Sequence, residues 1–387
     1  MKRFISLGLL AALMLTRPDL SLAADAPHIG EGGVPLFERD KSWPKLPAAW
    51  NAGASVSAAA VDPQNGHIWL LTRPRSLPKE TPATAIPLPV IEFDAAGNYI
   101  KGWGGQSGPG YAWPGTEHGL NIDSKGFMWI VGTTDSSNAA PNSPNAKVPN
   151  DSQILKFTKD GKFVMAIGKP GMVGNNKTDV LRGASNTYYH EKTNELYVSD
   201  GYGNSRVIIF DADSGKMKRM WGAYGKTPLD MVDRPARKPP AADPWVAVSE
   251  VLQQFGSPLH DVKVSNDGFV YAADRGNKRV QVFTPDGKFI AEQFVGLNSA
   301  YPLQVRSLNF SPDQRFMYLG GTPVTYILNR RTLEVLGEAP SSSDLIGHSA
   351  VVDNAGNLYL VQAQARTKES PFGAEKYAFK GYSPTTK

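Results

Sequence analysis

The sequence predicts an all-β fold built from six repeated units, each of which supplies four short strands. The first observation is a recurring pattern of an apolar strand, a polar turn and a second apolar strand. It occurs at 196–210, 270–290, 128–163 and 67–99, with weaker copies at 316–335 and 358–379. The second is that apolar segments ending in Asp, Ser or His open the units, at residues 57, 118, 185, 260, 306 and 348. Repeats of roughly 40–50 residues with four strands each are typical of β-propellers. The sequence therefore predicts a six-bladed β-propeller.

Polar insertions lengthen some of these units. They lie at 74–89, 134–152 and 225–257. Insertions in repeat proteins map to loops on one face, which is often the binding face.

The sixth unit lacks a fourth strand, because the chain ends in Ser-Pro-Thr-Thr-Lys soon after the segment 376–382. A segment near 34–46 precedes the first unit and has no partner there. We expect this segment to supply the missing strand, which closes the ring and removes an exposed sheet edge.

The first residues are typical of a secretory signal. Lys2 and Arg3 precede the apolar run 4–16, which is too short to span a bilayer, and small residues follow at 21–23. An N-terminal membrane anchor is the alternative. We therefore expect a signal peptide at 1–23, a leader with the ring-closing strand at 24–50, a propeller at 51–387, and a periplasmic or secreted protein without a membrane span.

Composition excludes some classes of partner. The net charge of +5 is spread along the chain, and no basic run with interleaved aromatic residues occurs, which argues against nucleic-acid binding. The chain has no cysteine, so it is compatible with an oxidising compartment but forms no disulfide. We expect a monomer that acts on a small-molecule or peptide-like substrate.

Three of the six histidines, His118, His260 and His348, open units two, four and six. Alternate blades of a six-bladed ring lie about 120° apart, and inner strands line the channel, so these imidazoles should converge on the axis. Three such ligands with open positions are typical of a catalytic Zn²⁺ site, although another divalent metal could use them. The alternative is that the histidines bond to backbone or channel water; strict alternation favours a metal. The equivalent positions elsewhere are Ser57, Ser185 and Arg306, and His28, His67 and His190 are expected at the surface.

A second set of polar residues follows the second strand of three units: Arg73, Tyr202 and Arg275. We expect them at the same mouth of the channel as the histidines. Arginine can bind a carboxylate through two parallel hydrogen bonds, and a tyrosine beside a dication can act as a base. The alternatives are a packing aromatic for Tyr202 and turn-solvating charges for the arginines.

At these positions the chain resembles a known family. Its units resemble NHL repeats, and the order of its motifs resembles peptidyl-α-hydroxyglycine α-amidating lyase, a six-bladed propeller with zinc in its channel. The specific segments are Glu-His-Gly-Leu-Asn-Ile-Asp at 117–123, Tyr-Val-Ser-Asp-Gly-Tyr-Gly-Asn-Ser-Arg at 197–206, and Pro-Leu-His-Asp-Val with Ala-Asp-Arg within 258–275. The resemblance covers roughly residues 50–360.

The resemblance implies zinc held by the three histidines, with Tyr202, Arg73 and Arg275 in the active site. It implies cleavage of the N–C bond of an N-acyl-α-hydroxyglycine-like carbinolamide to an amide and glyoxylate. It also implies a structural Ca²⁺, although Ser349 stands where the family has an Asp, and an Asp follows the second histidine instead, as Asp261.

Two other functions are compatible with the sequence. One is a non-catalytic NHL propeller whose loops bind a protein, glycan or cell-wall partner. The other is a lactone hydrolase on a similar disc, but that chemistry usually needs carboxylates and Asn around calcium, whereas the predicted channel positions offer His.

Overall fold

The computed structural model describes residues 33–50, 55–133, 151–172, 174–230, 233, 253–295, 305–321, 324–340, 347–363 and 372–383. Within these residues, 24 strands form six antiparallel sheets of four strands each. The sheets are the six blades of the predicted propeller, so the predicted fold class is confirmed.

The blades follow one another along the chain. Blade 1 contains β2 (Ser55–Val61), β3 (Ile68–Arg73), β4 (Val90–Phe93) and β5 (Tyr99–Trp103). Blade 2 contains β6 (Glu117–Ile122), β7 (Phe127–Gly132), β8 (Gln153–Thr158) and β9 (Phe163–Gly168). Blade 3 contains β10 (Ala184–His190), β11 (Glu195–Asp200), β12 (Arg206–Asp211) and β13 (Met217–Trp221).

The second half repeats this order. Blade 4 contains β14 (Leu259–Val264), β15 (Val270–Asp274), β16 (Arg279–Phe283) and β17 (Phe289–Phe294). Blade 5 contains β18 (Ser307–Phe310), β19 (Phe316–Gly320), β20 (Thr325–Asn329) and β21 (Val335–Ala339). Blade 6 contains β22 (Ser349–Val352), β23 (Leu358–Val361), β24 (Ala374–Tyr382) and, from the start of the chain, β1 (Pro35–Asp40).

The middle strands of each blade are buried on both faces. In blade 3, Leu196 and Val198 pack toward blade 2, whereas Tyr197 and Val207 pack toward blade 4. Successive side chains of a strand point to opposite faces, so a continuous apolar run fills the core on both sides of its blade. This explains why the repeats show apolar runs rather than strict alternation.

The predicted ring closure is confirmed. β1 pairs antiparallel with β24 and completes the sheet of blade 6. Arg39 on β1 forms an ion pair with the buried Glu375 at 2.5 Å. Trp43, just after β1, packs on Phe93 of blade 1 and Tyr359 of blade 6. The N-terminal segment therefore joins the first blade to the last.

Six inner strands surround the axis: β2, β6, β10, β14, β18 and β22. A cavity of about 340 Å³ lies between them, lined by side chains that include Asn121, Asn186, Lys263 and Asn309. The three histidines lie at or just before the starts of their strands, at one end of this channel.

Several sequence predictions concern residues outside those described: the signal peptide at 1–23, His28, and most of the insertions 134–152 and 225–257. The insertion 74–89 is described and contains two 3-10 turns, Pro74–Ser76 and Ala83–Ala85. In the part of the chain that the structure covers, no helix has the length and apolar character needed to cross a membrane.

Candidate metal centre

The structure brings His118, His260 and His348 together. One ring nitrogen of each lies within 4.8 Å of those of the other two, and all three residues are buried. The ring centroids are separated by 4.8 Å for His118 and His260, 4.6 Å for His118 and His348, and 4.9 Å for His260 and His348. The imidazoles therefore form a nearly equilateral triangle, as the alternation of units predicts.

Each imidazole is oriented by a backbone carbonyl of the following blade. The Nδ1 of His118 lies 2.7 Å from the carbonyl oxygen of Ser185. The corresponding distances are 2.5 Å from His260 to Arg306 and 2.6 Å from His348 to Ser57. A carbonyl oxygen only accepts hydrogen bonds, so each Nδ1 carries the proton and donates it. Each Nε2 is then an unprotonated acceptor, the form in which histidine ligates a metal.

The three carbonyls belong to the residues that replace histidine in the odd units. Blades 1, 3 and 5 supply them from Ser57, Ser185 and Arg306, whereas blades 2, 4 and 6 supply the rings. The six equivalent positions around the channel mouth thus divide into three imidazoles and three backbone acceptors.

Burial lowers the pKa of all three histidines well below the usual 6.5. Nearby positive charge acts in the same direction, from Arg73 on His118 and His348 and from Arg275 on His260. The rings are therefore neutral at physiological pH. Three neutral imidazoles with converging Nε2 atoms and fixed Nδ1–H bonds fit a divalent metal of the Zn²⁺ type.

Tyr202 lies directly beside this triangle. Its hydroxyl group donates to the Nε2 of His118 at 2.8 Å, and its oxygen lies 3.2 Å from the Nε2 of His260. The Nη1 of Arg275 donates to the same oxygen at 3.4 Å. Burial raises the pKa of Tyr202, while Arg275, Arg73 and Arg306 act to lower it. A tyrosine oxygen, two histidine nitrogens and an arginine therefore share one small volume.

Two backbone carbonyls hold the Arg73 side chain near His118. Its Nε donates to the carbonyl of Glu117 at 2.7 Å, and its Nη1 donates to the carbonyl of Ala363 at 3.2 Å. Its charge lowers the pKa of His118. The structure thus places Arg73, Tyr202 and Arg275 at the same mouth as the histidines.

A repeated buried ion pair positions the turns that carry Tyr202 and Arg275. In blade 3, Asp200 accepts from the Nε of Arg206 at 3.0 Å and from Asn204 at 2.7 Å. In blade 4, Asp274, Arg279 and Asn277 form the same arrangement, with both distances 2.8 Å. Both ion pairs are fully buried. Breaking such a pair leaves an uncompensated buried charge, so each turn has one well-defined geometry.

The structure adds one residue that the sequence did not single out as functional. Arg306 is only 5% exposed, and its charge acts on the pKa of Tyr202 and of all three histidines. Burial, followed by repulsion from Arg275, lowers the pKa of Arg306 to about 10. Its position in unit five, equivalent to that of the histidines, was the signal that could have identified it.

Other candidate residues lie elsewhere. His67 and His190 are half-buried and bond to Glu92 and Thr193 respectively, away from the triangle. Asp261 accepts from the Lys263 ammonium at 3.0 Å and from the amide of Leu308 at 3.0 Å. It also accepts from Asn186 at 2.8 Å. Asp261 therefore joins neighbouring inner strands, which accounts for an Asp at this position without calcium; a structural Ca²⁺ stays a prediction.

Comparisons with known proteins agree with the fold and bear on the site. The NHL repeat family model matches residues 259–283, in blade 4. The chain is 27% identical over 323 residues to NHL repeat-containing protein 3 of Mus musculus, covering 82% of this chain and 74% of that protein. The chain is therefore a six-bladed β-propeller with a match to the NHL repeat in blade 4 and similarity to an NHL repeat protein.

A second relative carries an enzyme name. The chain is 22% identical over 264 residues to peptidylglycine alpha-amidating monooxygenase of Rattus norvegicus, covering 65% of this chain and 23% of that protein. The similarity therefore concerns less than a quarter of that relative. Among solved structures, the RRP9 WD40 repeats match with a TM-score of 0.50 at 12% identity, covering 90% of this chain and 99% of that one, which supports the propeller fold alone.

Proposed function

We propose that the protein is a metal-dependent lyase that cleaves the N–C bond of an N-acyl-α-hydroxyglycine-like carbinolamide, giving an amide and glyoxylate. The observation that carries this proposal is the triangle of neutral imidazoles. The oxygen of the Tyr202 hydroxyl group lies 2.8 Å from the Nε2 of His118 and 3.2 Å from the Nε2 of His260. The similarity to a peptide-amidating protein supports the substrate class.

His118, His260 and His348 would hold Zn²⁺ or another divalent metal through their Nε2 atoms. When bound, such an ion polarises a hydroxyl group and lowers its pKa. The Nδ1–H bonds to the next blade keep the three Nε2 atoms turned inward. Only the hydrogen bond from Tyr202 to the Nε2 of His118 would have to give way to the metal.

Tyr202 is the proposed base. Its oxygen takes the proton of the substrate hydroxyl group, the oxygen electron pair forms the C=O bond of glyoxylate, and the C–N bond breaks. The amide nitrogen receives the proton that Tyr202 has taken up, so no other reactant is needed. Burial raises the pKa of Tyr202, and the positive charges of three arginines oppose this increase and favour the phenolate form.

Arg275 or Arg73 is the proposed partner of the substrate carboxylate. Guanidinium groups bind carboxylates through two parallel hydrogen bonds. Arg275 contacts the oxygen of Tyr202, so a carboxylate bound there would hold the neighbouring hydroxyl group close to the base. Arg73 is fixed by two backbone carbonyls and offers a second rigid position.

The test combines metal analysis with an assay of glyoxylate release from α-hydroxyhippurate. We expect about one Zn²⁺ per chain, as for a three-histidine site, and metal-dependent release. Tyr202→Phe should retain the metal and lose a factor of 10²–10⁴ in kcat, the usual contribution of a general base. Tyr326→Phe, in blade 5, is the matched control. Metal-loaded protein without glyoxylate release, or full activity in Tyr202→Phe, would contradict the proposal.

A second candidate is a non-catalytic NHL propeller that binds a protein, glycan or cell-wall partner. The observation favouring it is the similarity to NHL repeat-containing protein 3, which is higher in identity and covers more of the chain than the similarity to the amidating protein. Under this alternative, Tyr202→Phe leaves both metal content and partner binding unchanged.

The predicted signal sequence supports a periplasmic or secreted location, and the closed ring supports a monomer. N-terminal sequencing of the exported protein should place the mature start near residue 24. Light scattering should give the mass of one chain.

A further inference from the structure

The channel between the inner strands contains a buried ion pair that the proposed chemistry does not use. Asp261 follows His260 on β14, and Lys263 lies two residues further along the same strand. The Lys263 ammonium donates to the Asp261 carboxylate at 3.0 Å, and the two side chains are 11% and 2% exposed. Both residues line the cavity between the inner strands. The strand that supplies a candidate metal ligand therefore also brings an ammonium group into the channel.

The Asp261 carboxylate is the centre of this arrangement. It accepts from Asn186 on β10 of blade 3 at 2.8 Å and from the amide of Leu308 on β18 of blade 5 at 3.0 Å. The Lys263 ammonium, besides its bond to Asp261, lies 5.5 Å from the ring centre of Tyr188, which is also on β10. The ion pair thus links the inner strands of three neighbouring blades.

These contacts do not fit the structural Ca²⁺ that the resemblance implies. Calcium needs about six to eight oxygen ligands. A carboxylate has about four lone-pair sites, and N–H donors occupy those of Asp261, because the amide of Val262 also donates to it at 2.8 Å. Asp353, the other carboxylate on the cavity wall, accepts in the same way from Asn357 and Tyr359 at 2.8 to 3.0 Å. Within the described residues, this wall therefore leaves no carboxylate oxygen for a calcium ion.

We propose that the Lys263 ammonium is the internal cation of this channel and takes over the role of a structural Ca²⁺. It compensates the charge of Asp261, which would otherwise be buried without a counter-charge. The inner strands are then joined by the protein's own charges, and the fold does not depend on calcium. In the described part of the chain, the histidine triangle is the one group of His, Cys, Asp or Glu residues arranged to hold a metal ion. This inference does not depend on the lyase function.

Calcium measurements give the first test. Protein purified without chelator should contain far less than one Ca²⁺ per chain by elemental analysis. Addition of millimolar CaCl₂ to the zinc-loaded protein should change the melting temperature no more than an equal concentration of MgCl₂, because an ion stabilises a fold only by binding its folded state. A stoichiometric calcium ion in the purified protein, or a saturable rise in the melting temperature with CaCl₂ alone, would overturn the proposal.

Substitution of Lys263 tests its charge. Lys263→Met keeps an unbranched side chain of similar length but removes the ammonium group. We expect a melting temperature lower by at least about 4 °C, because the Asp261 charge stays buried without its counter-charge. Lys125→Met is the matched control, since Lys125 forms an exposed ion pair with Asp213 at 2.9 Å. It should lower the melting temperature by less than about 2 °C.

A double variant separates charge compensation from packing. If the two charges compensate one another, Asp261→Asn combined with Lys263→Met should cost less stability than the sum of the two single substitutions. Additive losses, or a wild-type melting temperature in Lys263→Met, would contradict the proposal. The calcium measurements on the wild-type protein decide the question even if a variant fails to fold.

Discussion

The even and odd blades make different contributions to one site. Blades 2, 4 and 6 present imidazoles, and blades 1, 3 and 5 present the backbone carbonyls that orient them. An imidazole requires histidine at its position, whereas any residue provides a backbone carbonyl. A three-histidine site in this ring therefore depends on six strands, and each ligand is correctly placed only when its blade is docked on the next.

The junction of blades 6 and 1 is therefore a critical point of the ring. His348 in blade 6 donates to Ser57 in blade 1 at 2.6 Å, and this is the junction where β1 closes the ring. Trp43 packs on side chains of both blades. Metal binding and ring closure should therefore be coupled, although the closing segment supplies no ligand.

Deleting residues 27–46 should have the largest effect. The deletion removes β1 and Trp43, exposes the edge of β24 and loosens the contact between blades 6 and 1. We expect weaker zinc binding and a melting temperature lower by more than about 10 °C. In a domain of this size, each loss of about 2–3 kcal/mol lowers the melting temperature by several degrees, and the deletion should cost several kcal/mol. Calorimetry and zinc titration measure both. Unchanged zinc affinity in the folded truncated protein would show that metal binding does not depend on ring closure.

Removing one even-blade ligand should have the next largest effect. His260→Ala should reduce zinc content from about one per chain to a small fraction, because two imidazoles bind the metal far more weakly than three. Chelation should then lower the melting temperature less than in the wild type, since a bound ion stabilises only the folded state. His190→Ala, at the last residue of the inner strand β10, should behave like the wild type. Full zinc content in His260→Ala would contradict the site.

Much of this arrangement could be predicted from the sequence, for identifiable reasons. The position of His118, His260 and His348 within their units revealed the alternation, because equivalent positions in a propeller face the axis together. The ring-closing strand followed from a missing fourth strand. Both predictions rest on repetition, which fixes relative positions without knowledge of side-chain contacts.

The remaining features lacked such a signal. The carbonyl acceptors of blades 1, 3 and 5 are backbone groups, so no residue type indicates them. The sequence places Arg306 at the position equivalent to the three histidines, but its burial near Arg275 depends on packing between blades. The role of Asp261 likewise depends on the neighbouring strands, whose Asn186 and Leu308 donate to it.

The pH dependence of the metal-free protein should reflect the three even-blade histidines. Their pKa values are lowered in the folded state, whereas in the unfolded chain they return to about 6.5. The unfolded chain therefore binds more protons below pH 6.5, and their contribution to the free energy of unfolding is fully present above that pH and falls as pH decreases. The loss is at most about 1.4 kcal/mol per pH unit for each histidine.

Urea unfolding of chelator-treated protein between pH 5 and 8 measures this slope. Replacement of all three histidines by Gln should flatten it in this range, while carboxylates still contribute below about pH 5. An equally steep slope in the triple variant would assign the pH dependence to other groups.

The smallest effect should come from the side chain of Ser57, on the inner strand of blade 1. Ser57 orients His348 through its carbonyl, while its hydroxyl group donates to Leu71 at 3.1 Å. Ser57→Ala removes only the second bond, which contributes about 1 kcal/mol to stability, and leaves the carbonyl in place. We therefore expect a slightly lower melting temperature and a zinc dissociation constant within about twofold of the wild type. His348→Ala is the matched even-blade change, and it should abolish zinc binding. A zinc affinity more than tenfold weaker in Ser57→Ala would mean that the side chain, and not the backbone, orients the imidazole.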